Sequence, residues 1–268
     1  MAEADLSNDS ALLRCSGITK SFGGVQALKE VSFAVPKLSV IGLIGPNGAG
    51  KTTVFNCLTG FIQPDKGEVW FKGRRVDGQT PNSIARMGLI RTFQSIRMFA
   101  RLTVFESLLV AQFAAGRTTN ERPRLWLREA LFGDERMQQV SETLDLLDLS
   151  SDRNRLCTEL PLLSQRKVEV ARALACQPTM LLLDEPSAGA TLAESKELMA
   201  VIDVVHKKGI TVLVIEHNVP FIMGTVDSVI VMNFGETIAQ GTPAEITDNE
   251  IVQEIYLGAS ENAQFAHF

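Results

Sequence analysis

Cysteine is scarce and scattered. Cys15, Cys57, Cys157 and Cys176 lie far apart with no C-x-x-C pair. That spacing excludes a disulfide framework and a zinc site, and it reads as reduced thiols of a cytosolic chain. Long apolar runs are also missing. No stretch approaches the ~18 residues that a membrane-spanning helix needs, so any membrane role must come through a partner. The N-terminus, Met1-Ala2-Glu3-Ala4-Asp5, is acidic and polar, unlike the basic, then apolar start of a signal peptide. There is no basic excess either. The net charge is −5, whereas a nucleic-acid face usually shows as a surplus of lysine and arginine, so no nucleic-acid partner is expected. What is present is ordinary for a soluble globular protein: 268 residues, 45% hydrophobic and 21% charged. That is one large domain or two smaller ones, with ample material for a core.

One stretch organises the rest. Gly45-Pro46-Asn47-Gly48-Ala49-Gly50-Lys51-Thr52-Thr53 fits G-x-x-x-x-G-K-[ST], a phosphate-binding loop. The apolar run Val40 to Ile44 before it reads as a buried strand, and Thr52 to Leu58 after it as the opening of a helix. Glycines at 45, 48 and 50 let successive backbone N–H groups converge on one point. The helix that follows adds the positive end of its dipole there. Lys51 brings a full charge to the β- and γ-phosphates, and the Thr52 hydroxyl is placed to ligate Mg²⁺. A glycine-rich turn without a ligand is the bland alternative, and the strand-loop-helix context speaks against it.

Along the chain, Leu12 to Ile18 and Val31 to Val35 read as N-terminal strands joined through a turn at Phe22-Gly23-Gly24. Phe22 lies upstream of the phosphate loop and admits two readings, stacking on an adenine ring and simple packing. Glu68 to Phe71 and Ile90 to Phe93 read as short strands, and Pro81 opens a helix to about Met87. From about Phe99 to Leu174 the apolar spacing turns helical, through Val104, Leu108 and Leu109 and again through Val140, Leu144 and Leu147. This is a helical subdomain, 99–174, inserted into an α/β core formed by 11–98 and 175–258. Residues 1–10 and 259–268 read as flexible ends. Within the insert, Arg117 to Met137 is basic and carries Trp126; it reads as a surface excursion or as a membrane-surface contact. Met180 to Leu183 and Thr211 to Ile215 are buried strands, separated by an amphipathic helix from Leu192 to about Lys208. Ser228 to Met232 and Thr237 to Ala239 suggest an edge hairpin, and two short helices close the chain. Strands alternating with helices imply a mainly parallel sheet with its ligand at the carboxyl ends of the strands. Gly45, Asp184 and His217 all fall at such ends.

Hydrolysing ATP needs a phosphate cradle, a metal, a positioned water and a group to orient that water. Asp184, after four apolar residues, is placed to hold Mg²⁺ through its water shell. Glu185 beside it can accept a hydrogen bond from the attacking water. Gln94, at a strand tip, can offer its amide oxygen to the metal or the water. His217, after Val212-Leu213-Val214-Ile215-Glu216, can hydrogen-bond the γ-phosphate, although a histidine at a strand end is often simply structural.

Together these segments resemble ATP-binding-cassette (ABC) ATPases over about residues 12–258. G-P-N-G-A-G-K-T-T matches the Walker A loop, R-T-F-Q around Gln94 the Q-loop, and M-L-L-L-D-E-P the Walker B motif with Asp184 and Glu185. His217 in I-E-H matches the switch histidine, and Phe22 falls where the adenine-stacking aromatic sits. The likeness is nearest to ATPase subunits of bacterial branched-chain amino-acid importers, through I-R-T-F-Q-S-I-R-M-F-A-R-L-T-V-F-E-S-L-L-V-A-Q, V-L-V-I-E-H-N-V-P-F-I-M-G and the closing Glu254-Ile255-Tyr256-Leu257-Gly258. The resemblance implies a P-loop NTPase core with N-terminal antiparallel β elements and the inserted helical subdomain. It implies a dimer that sandwiches two ATP molecules, each between the Walker A loop of one chain and the signature motif of the other. It also implies docking to membrane permease subunits at the cytoplasmic face of the inner membrane, indirect service to a solute-binding protein, and coupling through Gln94 and the helical subdomain.

One departure stands out. The family signature is L-S-G-G-Q or a close variant, and aligned through R-K-V-E-V-A-R-A-L this chain carries Leu160-Pro161-Leu162-Leu163-Ser164. Pro161 removes a backbone donor, and Leu163 adds bulk where a glycine allows close approach. Ser164 remains as a cap for the following helix. Thr191 stands where the family has an acidic residue or asparagine. Two alternatives to an importer ATPase follow: a regulatory nucleotide-binding module with weak hydrolysis, and a soluble ABC ATPase outside transport. The second usually carries coiled-coil insertions or two tandem cassettes, and no heptad run is present.

Overall fold

The computed structural model describes residues 11–94, 97–115 and 133–258. The flexible ends expected at 1–10 and 259–268, and the basic stretch from Arg117 up to residue 132, lie outside the described residues. The chain divides into two compact units, one of Met1–Ile84 with Thr211–Phe268 and the other of Ala85–Ile210.

The first unit carries two sheets. β1 (Ala11–Phe22) and β2 (Val25–Pro36) form a hairpin, and β4 (Lys66–Phe71) and β5 (Arg74–Arg75) extend it into an antiparallel sheet in the order β2-β1-β4-β5. β1 and β2 run past the apolar cores that mark them, down to the pair Phe22↔Val25. The ladder is made by backbone groups, so polar Lys20 and Ser21 join it as readily as leucine does. β3 (Val40–Ile44) is buried at every position. It pairs in parallel with both β8 (Thr211–Ile215) and β9 (Ser228–Asn233), and β10 (Glu236–Gly241) closes the edge against β9 in antiparallel fashion. A strand buried on both faces reads as a continuous apolar run, and Val40 to Ile44 and Thr211 to Ile215 do so. Helix α1 (Lys51–Leu58) belongs to this unit, and α2 (Pro81–Arg86) starts in it and ends in the second.

The second unit holds β6 (Leu89–Arg91) parallel to β7 (Met180–Asp184), with Thr92 N–H continuing the pairing to Leu182 O at 2.9 Å. Around them lie α3 (Val104–Ala115), α4 (Asp134–Leu146), α5 (Leu162–Ala175) and α6 (Leu192–Lys207). The helices expected from the spacing of Val104, Leu108 and Leu109 and of Val140 and Leu144 are there, with those residues buried. In the first unit, α7 (Val219–Met223), α8 (Pro243–Thr247) and α9 (Glu250–Gly258) complete the chain.

The four cysteines are free, and Cys15, Cys57 and Cys157 are buried. Burial pushes Cys57 and Cys176 up to about 11, so neither is a thiolate at neutral pH.

Candidate functional site

In the first unit the phosphate loop leaves the carboxyl end of β3 and enters α1. Its path requires glycine at two points. Gly45 has φ 154° and a Cβ there would lie 2.2 Å from the Met232 carbonyl oxygen. Gly50 caps α1 in the left-handed region, with the Ala27 carbonyl 2.8 Å from where a Cβ would stand. The turn between β9 and β10 buttresses the loop from behind, since Gly235 N–H donates to Ala49 O at 3.1 Å. The Lys51 ammonium lies inside the curl. It is 7% exposed and donates to Gly45 O at 2.6 Å and to Pro46 O at 3.0 Å. A charged amine so held is pre-aimed at whatever sits in the cradle. Thr52, the next residue, is exposed at the start of α1.

His217 follows β8, whose Ile215 is aligned with Leu43 of β3. The histidine and the loop therefore emerge at the same end of neighbouring strands. Its side chain is 56% exposed, which removes the reading of a packed core histidine. Buried Glu216 organises the turn by accepting from His217 N–H at 3.2 Å and Asn218 N–H at 3.4 Å. Phe22, at the end of β1, is 45% exposed with the Lys20 ammonium 5.6 Å from its ring centre. Its ring is not core, which weighs against simple packing.

In the second unit Asp184 ends β7, and its carboxylate takes the Arg91 guanidinium at 2.6 Å, with side-chain exposures of 4% and 7%. Glu185 follows with φ 49°, a left-handed conformation that a non-glycine residue holds only at some cost. The Gln94 amide nitrogen donates to Glu185 Oε2 at 2.7 Å. That bond uses the nitrogen and does not spend the amide oxygen, the atom that a cation takes. Two of the residues expected from sequence, Gln94 and Glu185, are thus brought together directly, with Asp184 beside them.

The degenerate signature corrects one expectation. Ser164 does not cap the following helix. α5 starts at Leu162 with Pro161 as its N-cap, φ −56°, and no side-chain capping bond. Proline's fixed φ suits a helix entrance and its missing N–H is no loss there, so the helix begins two residues before the serine. Gln165 secures the entrance instead, its amide nitrogen donating to Leu160 O at 2.8 Å. Thr191 caps α6 with Glu194 in a reciprocal capping box.

Three residues near these positions carry more than the sequence reading assigned them. Arg91 is a charge on a short core strand, and such a residue needs a partner; that need was the available signal. Arg166, on α5, touches the carbonyls of Gln94 and Ala188 at 3.2 and 3.4 Å. Tyr256 of α9 is buried, which pushes its phenol up.

A model of the ABC transporter family matches residues 28–188, and a model described as branched-chain amino acid ATP-binding cassette transporter matches 236–262. The chain is 41% identical over 250 residues to the high-affinity branched-chain amino acid transport ATP-binding protein BraF of Pseudomonas aeruginosa, covering 92% of this chain and 98% of that one. It is 33% identical to the probable branched-chain amino acid transport ATP-binding protein LivG of Archaeoglobus fulgidus, with 94% and 97% covered. Among solved structures it is similar to an ATP-binding cassette of an ABC transporter in the ADP conformation, at 33% identity and a TM-score of 0.82, covering 92% of this chain and 99% of that one.

Proposed function

The chain belongs to the ABC transporter family of ATP-binding cassettes, and from that premise we propose that it is the ATP-hydrolysing subunit of an importer for branched-chain or related amino acids. The observation that carries the ATPase reading is the phosphate loop, with Lys51 buried in its curl and left-handed glycines at its ends. The importer reading rests on the names of relatives that match along nearly the whole chain.

In this reading the residues divide the work. Gly45 to Thr53 cradle the phosphates through backbone N–H groups, and Lys51 neutralises the β- and γ-oxygens. Phe22 offers an exposed ring to the adenine. Glu185 accepts a hydrogen bond from the attacking water and aims it at the γ-phosphorus, while Gln94 orients the Glu185 carboxylate. His217 donates to the γ-phosphate. The Thr52 hydroxyl, the Gln94 amide oxygen and the Asp184 carboxylate are hard oxygen donors of the kind Mg²⁺ takes. When bound, that ion neutralises phosphate charge.

The chain acts as one half of a dimer, docked on permease subunits at the cytoplasmic face of the inner membrane, with 99–174 as the helical subdomain. No helix among the described residues is long and apolar enough to cross a membrane. Because Pro161 and Leu163 spoil the signature, the partner is a second, different cassette with an intact one. This chain's own Walker A then turns over against the partner's signature, and the partner's Walker A turns over slowly. A regulatory module with weak hydrolysis is the second reading, favoured by the same Pro161 and Leu163 and opposed by Glu185 and His217.

The test is co-purification of the tagged chain from its native membranes, with mass spectrometry of the partners and ATP turnover of the complex. Two permease subunits, a second ATPase and turnover lost in Glu185→Gln are expected. The chain recovered alone from the soluble fraction would overturn the importer reading.

A further inference from the structure

Three side chains on one face of α5 do something that the nucleotide chemistry alone does not demand. Arg166, Glu169 and Arg172 recur at three-residue spacing and so share a face of the helix. All three reach the segment that runs on from Gln94. Glu169 accepts from Arg97 N–H at 3.3 Å, and Arg172 donates to Arg97 O at 2.6 Å while its guanidinium covers the Phe99 ring at 4.5 Å. Arg166 is 8% exposed and pairs with Glu169 at 3.4 Å.

Arg166 differs from its two neighbours in reaching a second segment as well. One nitrogen of its guanidinium donates to Gln94 O at 3.2 Å, and the other to Ala188 O at 3.4 Å. Gln94 is one member of the pair made by its amide and Glu185 Oε2, and Ala188 N–H donates to the carbonyl of the other member, Glu185, at 3.1 Å. A single planar fork thus holds the backbone on both sides of that pair. Burying a guanidinium is costly, and one ion pair repays it poorly. A role confined to pairing with Glu169 leaves the two carbonyl contacts unexplained.

We propose that Arg166 is a positioning residue for ATP hydrolysis: its fork fixes the Gln94 and Ala188 backbones so that the Gln94 amide meets the Glu185 carboxylate. Glu169 orients the fork. The inference rests on the ATPase reading above, in which Glu185 aims the water. Because Arg166 lies on the helix that the signature segment opens, it also ties the state of that segment to the state of Glu185.

The experiment uses the purified transporter complex and separates geometry from charge. Arg166→Lys keeps a positive charge beside Glu169 but has no fork to span two carbonyls. It is expected to lower kcat by about 10- to 100-fold, with ATP affinity within about twofold of the parent. Gln94→Ala added to Arg166→Lys should cost little more than Gln94→Ala alone, since the fork acts through the pair that Gln94→Ala already breaks. Near-parental kcat in Arg166→Lys, a multiplicative loss in the double variant, or a loss of ATP affinity equal to the loss of turnover would each overturn the proposal. Should Arg166→Lys not fold, Glu169→Gln, which removes only the carboxylate charge, carries the same expectation of lowered kcat that does not multiply with Gln94→Ala. If the parental complex itself does not hydrolyse ATP, the ATPase reading fails before this one is reached.

Discussion

At the scale of single residues, the phosphate loop shows how a motif written in letters becomes a shape. Its glycines are not equivalent. Gly45 and Gly48 both have positive φ, but a Cβ at Gly45 would meet the Met232 carbonyl at 2.2 Å, while one at Gly48 meets nothing within 4 Å. Gly48→Ala should therefore carry only the left-handed backbone cost of about 1–2 kcal/mol. Gly45→Ala adds a backbone clash that no side-chain rotation relieves, and it should be the more destabilising of the two. Urea unfolding of both variants against the parent checks the order; equal midpoints would show that the loop relaxes around either methyl. The consensus pattern alone does not rank them, because the decisive atom is in β9, far along the chain. Gly45 and Lys51 are legible as loop residues from spacing. Met232 is not, because nothing in a run of apolar residues says which carbonyl faces what.

At the scale of elements, the helix entrances repay attention. α6 and α8 both begin with a capping box, Thr191 with Glu194 and Thr242 with Glu245. In each box the backbone N–H and the hydroxyl of the threonine hold the glutamate below its ordinary range. A depressed acid contributes stability above its unfolded pKa, and that contribution is lost as pH falls through the folded value. Thr191→Ala should accordingly cost about 1 kcal/mol at neutral pH, with the gap to the parent narrowing below the ordinary glutamate range. Thermal melts across that range measure it, and a gap that stays constant into acid would mean that the box does not act through the Glu194 charge. Thr191 departs from the family pattern of an acidic residue or asparagine, and the structure shows it serving as an N-cap, a role that those residue types also favour. α5 is the opposite case. Its first residues hold no side-chain cap at all, and the expectation placed on Ser164 failed because proline starts a helix without one. Strand positions were legible to within a few residues wherever both faces are buried, as for β3, β7 and β8. They were less so for β1 and β2, where backbone pairing carries the strand through polar residues.

At the scale of the whole molecule, the departure from the signature bears on assembly. In the proposed reading, an intact nucleotide loop joined to a spoiled signature makes this chain a poor partner for a second copy of itself and a sufficient one for a cassette that brings its own signature. Pro161→Ser combined with Leu163→Gly should raise ATP turnover of the reconstituted complex, because it opens the partner's site to close backbone approach. Steady-state ATPase assays on the parental and double-variant complexes settle this; unchanged turnover would mean that the segment reaches the phosphate by another backbone route. Leu162→Ala, an adjacent change that supplies neither the hydroxyl nor the glycine, serves as the control.

The sequence by itself determined the chemistry on offer. A phosphate loop, an Asp-Glu pair after an apolar strand, a glutamine and a histidine at strand ends, and a damaged signature are all local patterns. Local spacing is sufficient to recognise them because strand, loop and helix each have a fixed period. The tertiary structure decided who holds whom. That Asp184 pairs with Arg91, that Gln94 grips Glu185, and that Arg166 braces both backbones are contacts between residues 22 to 93 positions apart. Their partners are selected by chain packing, and packing leaves no periodic trace in the sequence from which a partner could be read.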